Sequence, residues 1–106
     1  MVVIVTRDVA DRFRGFLASA MLEIAPGVYT APRMSAAVRD RVWAVLADWF
    51  HSFGGSSIVM TWRDPKEPCG QGLKTMGLPP IGFAEIDGLV VTVDRTTDSS
   101  AHPPAL

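Results

Sequence analysis

The chain opens with Val2, Val3, Ile4, Val5 and Thr6, an unbroken β-prone run of the kind found in strands buried on both faces. The period then changes. After the polar pair Arg7-Asp8, the apolar residues Phe13, Phe16, Leu17, Ala20 and Met21 recur at helical spacing, so a helix is expected from Val9 or Ala10 to about Leu22. Asp8 stands where an N-cap belongs, and Asp11, three residues later, imitates the acidic member of a capping box. Pro26-Gly27 is a turn signal between Glu23-Ile24-Ala25 and the β-prone Val28-Tyr29-Thr30, which predicts a tight hairpin. Ser35 is placed to cap the clearest amphipathic pattern of the chain. There Val38, Val42, Val45, Leu46, Trp49 and Phe53 mark one face of a long helix, which Gly54-Gly55 stops. Ile58-Val59-Met60-Thr61-Trp62 reads as a second buried strand.

The order strand, helix, strand, strand, helix, strand, joined by right-handed crossovers, puts both helices on one face of a sheet. The prediction is a ferredoxin-like βαββαβ α/β sandwich occupying a single domain, residues 1–94. Its second face lacks cover, and in a homodimer the two sheets would cover each other. Arg63 to Gly72 is polar, rich in Pro and Gly, and reads as a loop; Leu73 to Met76 alternates as a half-exposed or edge strand does. Asp87-Gly88 makes a turn before Leu89, Val90, Val91, Thr92 and Val93, an extra strand outside the minimal fold. That strand is available to an edge of its own subunit, a symmetry mate or another protein. Residues 95–106 lack periodicity and are expected to be a disordered tail.

Composition narrows the classes. With 106 residues, 48% of them hydrophobic, the chain can build one core and gains from a partner. No apolar run approaches the roughly 18 residues of a membrane span and no signal-peptide pattern opens the chain, so a cytoplasmic protein without membrane contact is expected. The single cysteine, Cys69, leaves no internal disulfide. A net charge of −1 conceals an asymmetry: residues 1–41 hold six basic and four acidic groups (+2), residues 42–106 four basic and seven acidic (−3). Any anion-binding face therefore belongs to the N-terminal part.

Little in the sequence suggests a nucleophilic enzyme. His51 and His102 are far apart and lack ligand-spaced neighbours, and Ser56-Ser57 has no recognisable base. The candidates are charged. Arg12 and Arg14, about 200° apart on a helical wheel, flank the apolar stripe at the first turns of their helix, where the dipole also favours an anion such as a phosphate. Arg39 lies on the polar flank of the long helix. Asp8 is the one suggestive carboxylate, at the end of the central strand, although capping accounts for it without any chemistry.

The strand ending in Thr6, the segment Arg12-Phe13-Arg14-Gly15, the run Leu22 to Tyr29, and the later Thr75-Met76-Gly77-Leu78 with Asp87-Gly88-Leu89 together resemble CRISPR-associated protein two of subtype I-E. The resemblance implies a ferredoxin-like homodimer placed between dimers of the Cas-one integrase during spacer acquisition. It also implies a metal-dependent endonuclease family, acting on RNA or double-stranded DNA, in which carboxylates at the ends of the two first strands share Mg²⁺ at the dimer axis. Asp8 would take that catalytic and metal-binding role. Here, however, Arg7 and Asp8 stand where similar members carry Glu and Asn, and Pro79-Pro80-Ile81 replaces a basic pair.

The expected function is accordingly a scaffold for the Cas-one integrase on duplex DNA, touching phosphates through Arg12, Arg14 and Arg39 and docking its partner through Leu89 to Val93. Two alternatives stand beside it: an active Mg²⁺-dependent nuclease using Asp8, and a ferredoxin-like dimer that senses a small molecule.

Overall fold

Residues 1–79 and 81–94 are described by a computed structural model. β1 (Val2–Arg7) is the middle strand of a five-stranded sheet of order β2-β3-β1-β4-β5, with β2 Leu22–Ala25, β3 Val28–Ala31, β4 Ser57–Arg63 and β5 Gln71–Met76. β1 runs antiparallel to both neighbours, pairing Ile4 with Tyr29 on one side and with Met60 on the other. The first four strands thus have the ferredoxin-like arrangement. β5 extends the sheet beside β4 as an edge strand, one of the two readings of Leu73 to Met76, and it starts at Gln71, inside the segment expected to be loop.

Alternate residues of the strands face one layer of two helices, α1 (Asp11–Ala20) and α2 (Ala36–Phe53). Phe13 and Leu17 from α1 and Val42 and Leu46 from α2 join Ile4, Tyr29, Ile58, Met60 and Trp62 in one buried cluster. The intervening residues, among them Val3, Val5, Val28 and Val59, lie on the helix-free face, and Val5 is 39% exposed. The helix positions follow from the patterns of Phe13/Leu17 and Val42/Leu46, because burial of one stripe holds a helix on a sheet more than intrinsic propensity does.

The caps are met at one helix and corrected at the other. Ser35 caps α2 as expected, its hydroxyl oxygen accepting from the Val38 amide at 3.2 Å, and Gly54 ends that helix with φ 73°. α1 starts later than the pattern suggested. Its N-cap is Ala10, without a side-chain cap, because Asp8 adopts φ 52° and carries the chain through a bend before the helix begins. Met21 is already extended (φ −141°), so the helix ends at Ala20 rather than Leu22.

Two glycines fix how the strands meet. Gly27 has φ 78° in the β2–β3 turn and its carbonyl accepts from the Thr6 amide at 2.7 Å; a Cβ there would lie 2.7 Å from the Thr6 carbonyl oxygen. Gly72 lies under the Trp62 indole, so close that a Cβ would sit 2.1 Å from ring atom Cε2. The Arg39 guanidinium lies over the same indole, 4.1 Å from its ring centroid.

The late strand, β7 (Leu89–Asp94), pairs with β6 (Ile81–Ile86) in a separate two-stranded sheet. β6 was not among the elements expected from the sequence; within the chain it is the strand on which β7 pairs. The expected tail, 95–106, lies outside the described residues.

Candidate nucleic-acid interface

α1 positions Arg12 and Arg14 on opposite flanks of its buried stripe, as the helical wheel requires, and each meets a different neighbour. Arg12 turns toward α2, its guanidinium 4.2 Å from the Phe53 ring centroid and 5.4 Å from that of Trp49. Arg14 turns toward β2, where its Nε–H donates to Glu23 Oε1 at 3.1 Å. The Arg14 side chain remains 70% exposed. Arg39 belongs to the other end of the sheet. It stacks on Trp62, pairs with Asp40 at 3.2 Å, and has a side chain only 16% exposed, which leaves little of it to offer a ligand. Of the three arginines expected at phosphates, Arg12 and Arg14 are exposed and Arg39 is largely covered.

Arg14 also lines an open cleft of about 760 Å³ at the end of β1, bounded by the β1–α1 bend and the β2–β3 hairpin. Its charged groups are Arg7 and Arg14 against Asp8, Asp11 and Glu23, a balance of −1, so the cleft as a whole is no anion pocket. Beneath Glu23 lies Tyr29, 1% exposed. Burial pushes the phenol above its ordinary value of 10.0, and the negative charge of the neighbouring Glu23 carboxylate pushes it further.

Asp8 also lines this cleft, and its carboxylate has a partner. Oδ2 accepts from the Ser56 hydroxyl at 2.8 Å, while the Ser56 amide donates to the Arg7 carbonyl at 3.1 Å. These bonds tie the end of β1 to the residue before β4. Mg²⁺ takes a near-octahedral set of oxygen ligands. Among the described residues, no three His, Cys, Asp or Glu side chains gather where they could hold a metal. A lone carboxylate bonded to a serine does not fit Mg²⁺ within one chain.

Glu23 and Ser56 are the partners that sequence reasoning missed. Ser56 is far from Asp8 in the chain and carried no signal. Glu23 did carry one, in its proximity to the hairpin turn, but a regular two-residue turn would pair it with Thr30 on the helix-free side. The structure has an irregularity between Glu23 and Ala25 that pairs Glu23 with Tyr29 instead. That shift brings the carboxylate to the side on which α1 carries Arg14.

Four antiparallel strands in the order 2-3-1-4, with two helices on one face, define a ferredoxin-like α+β protein. Residues 1–91 match the family CRISPR-associated protein (Cas_Cas2CT1978), and the chain belongs to that family. The match runs from β1 into β7 and so includes Arg12, Arg14, Glu23 and Asp8. No helix is long and apolar enough to cross a membrane among the described residues.

Proposed function

We propose that this CRISPR-associated chain acts in spacer acquisition, in the manner of subtype I-E, as a homodimer that holds duplex DNA while a partner integrase of the Cas-one type joins the strands. The observation that carries this reading is the difference between the two faces of the sheet. One is covered by helices bearing Arg12 and Arg14; the other is uncovered and presents Val3, Val5, Val28 and Val59. Packing two such faces together buries apolar surface at roughly 25 cal/mol per Å². It also turns both helix layers outward, so each end of the dimer carries its own pair of arginines toward the phosphates. Contacts of that kind are independent of sequence and weaken with salt.

The exposed β6–β7 hairpin, with Ile86 54%, Leu89 69% and Val90 51% exposed, supplies the surface for the integrase. Asp8, bonded to Ser56, acts here as a strut. The test mixes the purified chain with its Cas-one partner and a short forked duplex and measures the mass and shape of what elutes. A ternary complex containing two copies of the chain is expected. No complex, together with Mg²⁺-dependent cleavage of RNA or duplex DNA by the chain alone, would replace the scaffold with a nuclease that uses Asp8.

A further inference from the structure

We infer that Glu23 is a positioning residue for phosphate recognition: anchored on the buried Tyr29 by the irregular β2–β3 register, it holds Arg14 by Nε and leaves the terminal nitrogens of the guanidinium for a DNA phosphate. The inference rests on the duplex-holding reading above and adds to it a residue whose own charge is of the wrong sign for DNA.

Arg14 alone would be a poor phosphate clamp. A long, 70% exposed side chain has many rotamers, and fixing one on binding costs affinity. Glu23 removes much of that freedom beforehand. Its side chain is only 19% exposed, lies opposite Tyr29 across the strand pair, and accepts the Arg14 Nε–H at 3.1 Å. A guanidinium has five N–H donors in a rigid fork, so an Nε contact leaves the four donors of the two terminal nitrogens for oxygen acceptors. The register is what makes this possible. In a regular hairpin, Glu23 would share the helix-free face with Thr30, away from α1, because one residue of slip reverses every side chain. The irregularity between Glu23 and Ala25 places it opposite Tyr29, which is 1% exposed and cannot move without disturbing the core.

Two opposed effects of Glu23 make the test decisive. As a bystander, it repels phosphates, and neutralising it should tighten duplex binding. As a positioning residue, it should weaken binding when neutralised. Duplex affinity of the full chain is measured at several salt concentrations for wild type, Glu23→Gln, Arg14→Ala and the double variant, with thermal melting as the check on folding. We expect Glu23→Gln to weaken binding about 3- to 10-fold, the range that ordering one long side chain accounts for. The salt slope should stay nearly unchanged, whereas Arg14→Ala should reduce it by about 0.9 for each phosphate that is no longer neutralised. In the Arg14→Ala background, Glu23→Gln should no longer weaken binding. Glu23→Asp, which keeps the charge and shortens the tether to Arg14, should move affinity in the same direction as Glu23→Gln and serves if that variant does not fold. Unchanged or tighter binding by Glu23→Gln, with Arg14→Ala still weakening, would overturn the positioning role alone. If Arg14→Ala changes neither affinity nor slope, the phosphate interface itself is wrong and the positioning role falls with it.

Discussion

Tyr29 is the chain's only tyrosine, so an ultraviolet difference titration reads it without ambiguity. Burial first, and Glu23 second, raise its pKa above 10.0. A raised folded value means that the neutral phenol contributes stability fully present below 10.0 and lost as pH rises through the folded value. Phenolate absorbance is therefore expected to appear above pH 10.0, together with the loss of tertiary signal. A phenol that ionises at or below its ordinary value in the folded protein would contradict the buried placement. Asp8 invites a second measurement. Its φ of 52° suits Asn as well as Asp, and an amide oxygen can accept from Ser56 as the carboxylate does. Asp8→Asn should change stability by less than about 0.5 kcal/mol and leave assembly with the integrase and DNA intact. Loss of integration in a folded, assembled variant would return Asp8 to a catalytic role.

The contact between β4 and β5 depends on a missing side chain. Gly72 lets the Trp62 indole lie flat, with Arg39 stacked above it and Asp64 Oδ2 accepting from the indole Nε1 at 3.3 Å. Gly72→Ala should displace the ring and cost about 1–3 kcal/mol, read as a lower urea midpoint with a shifted tryptophan spectrum. An unchanged midpoint would show that the indole has room to move. The elements most legible in the sequence were those that bury a regular stripe. β1, α2 and β4 follow from Val2 to Thr6, Val38 to Phe53 and Ile58 to Trp62 because periodic burial is itself the signal. β6 was not legible: Gly82 and Ala84, both poor strand formers, interrupt Ile81, Phe83 and Ile86. The start of α1 was misplaced because Asp8 finds a partner in Ser56, 48 residues away, that no local rule could supply. For the site, Arg12 and Arg14 were visible as flanking charges. The tether to Glu23 was not, since it depends on an irregular pairing that is invisible in composition and spacing.

For the whole molecule, the proposed homodimer makes the helix-free face the surface to test. Val59 lies beside Val5 in the middle of that face. Val59→Lys should put a charge into the proposed sheet-to-sheet contact and yield a folded monomer by light scattering, where the unaltered chain gives a dimer at micromolar concentration. A dimeric mass for Val59→Lys would move the interface elsewhere, and a monomeric wild type would remove the homodimer. The separate β6–β7 sheet has a further consequence, which concerns time rather than contacts. Two-stranded ribbons are marginal on their own, whereas β1 is locked on both sides by β3 and β4. Amide protons of β6 and β7 should therefore exchange with solvent deuterium through small local openings, while those of Ile4 and Met60 wait for global unfolding. Uniform protection along the chain would sink this expectation. If it holds, the hairpin opens and closes many times while the five-stranded sheet stays shut.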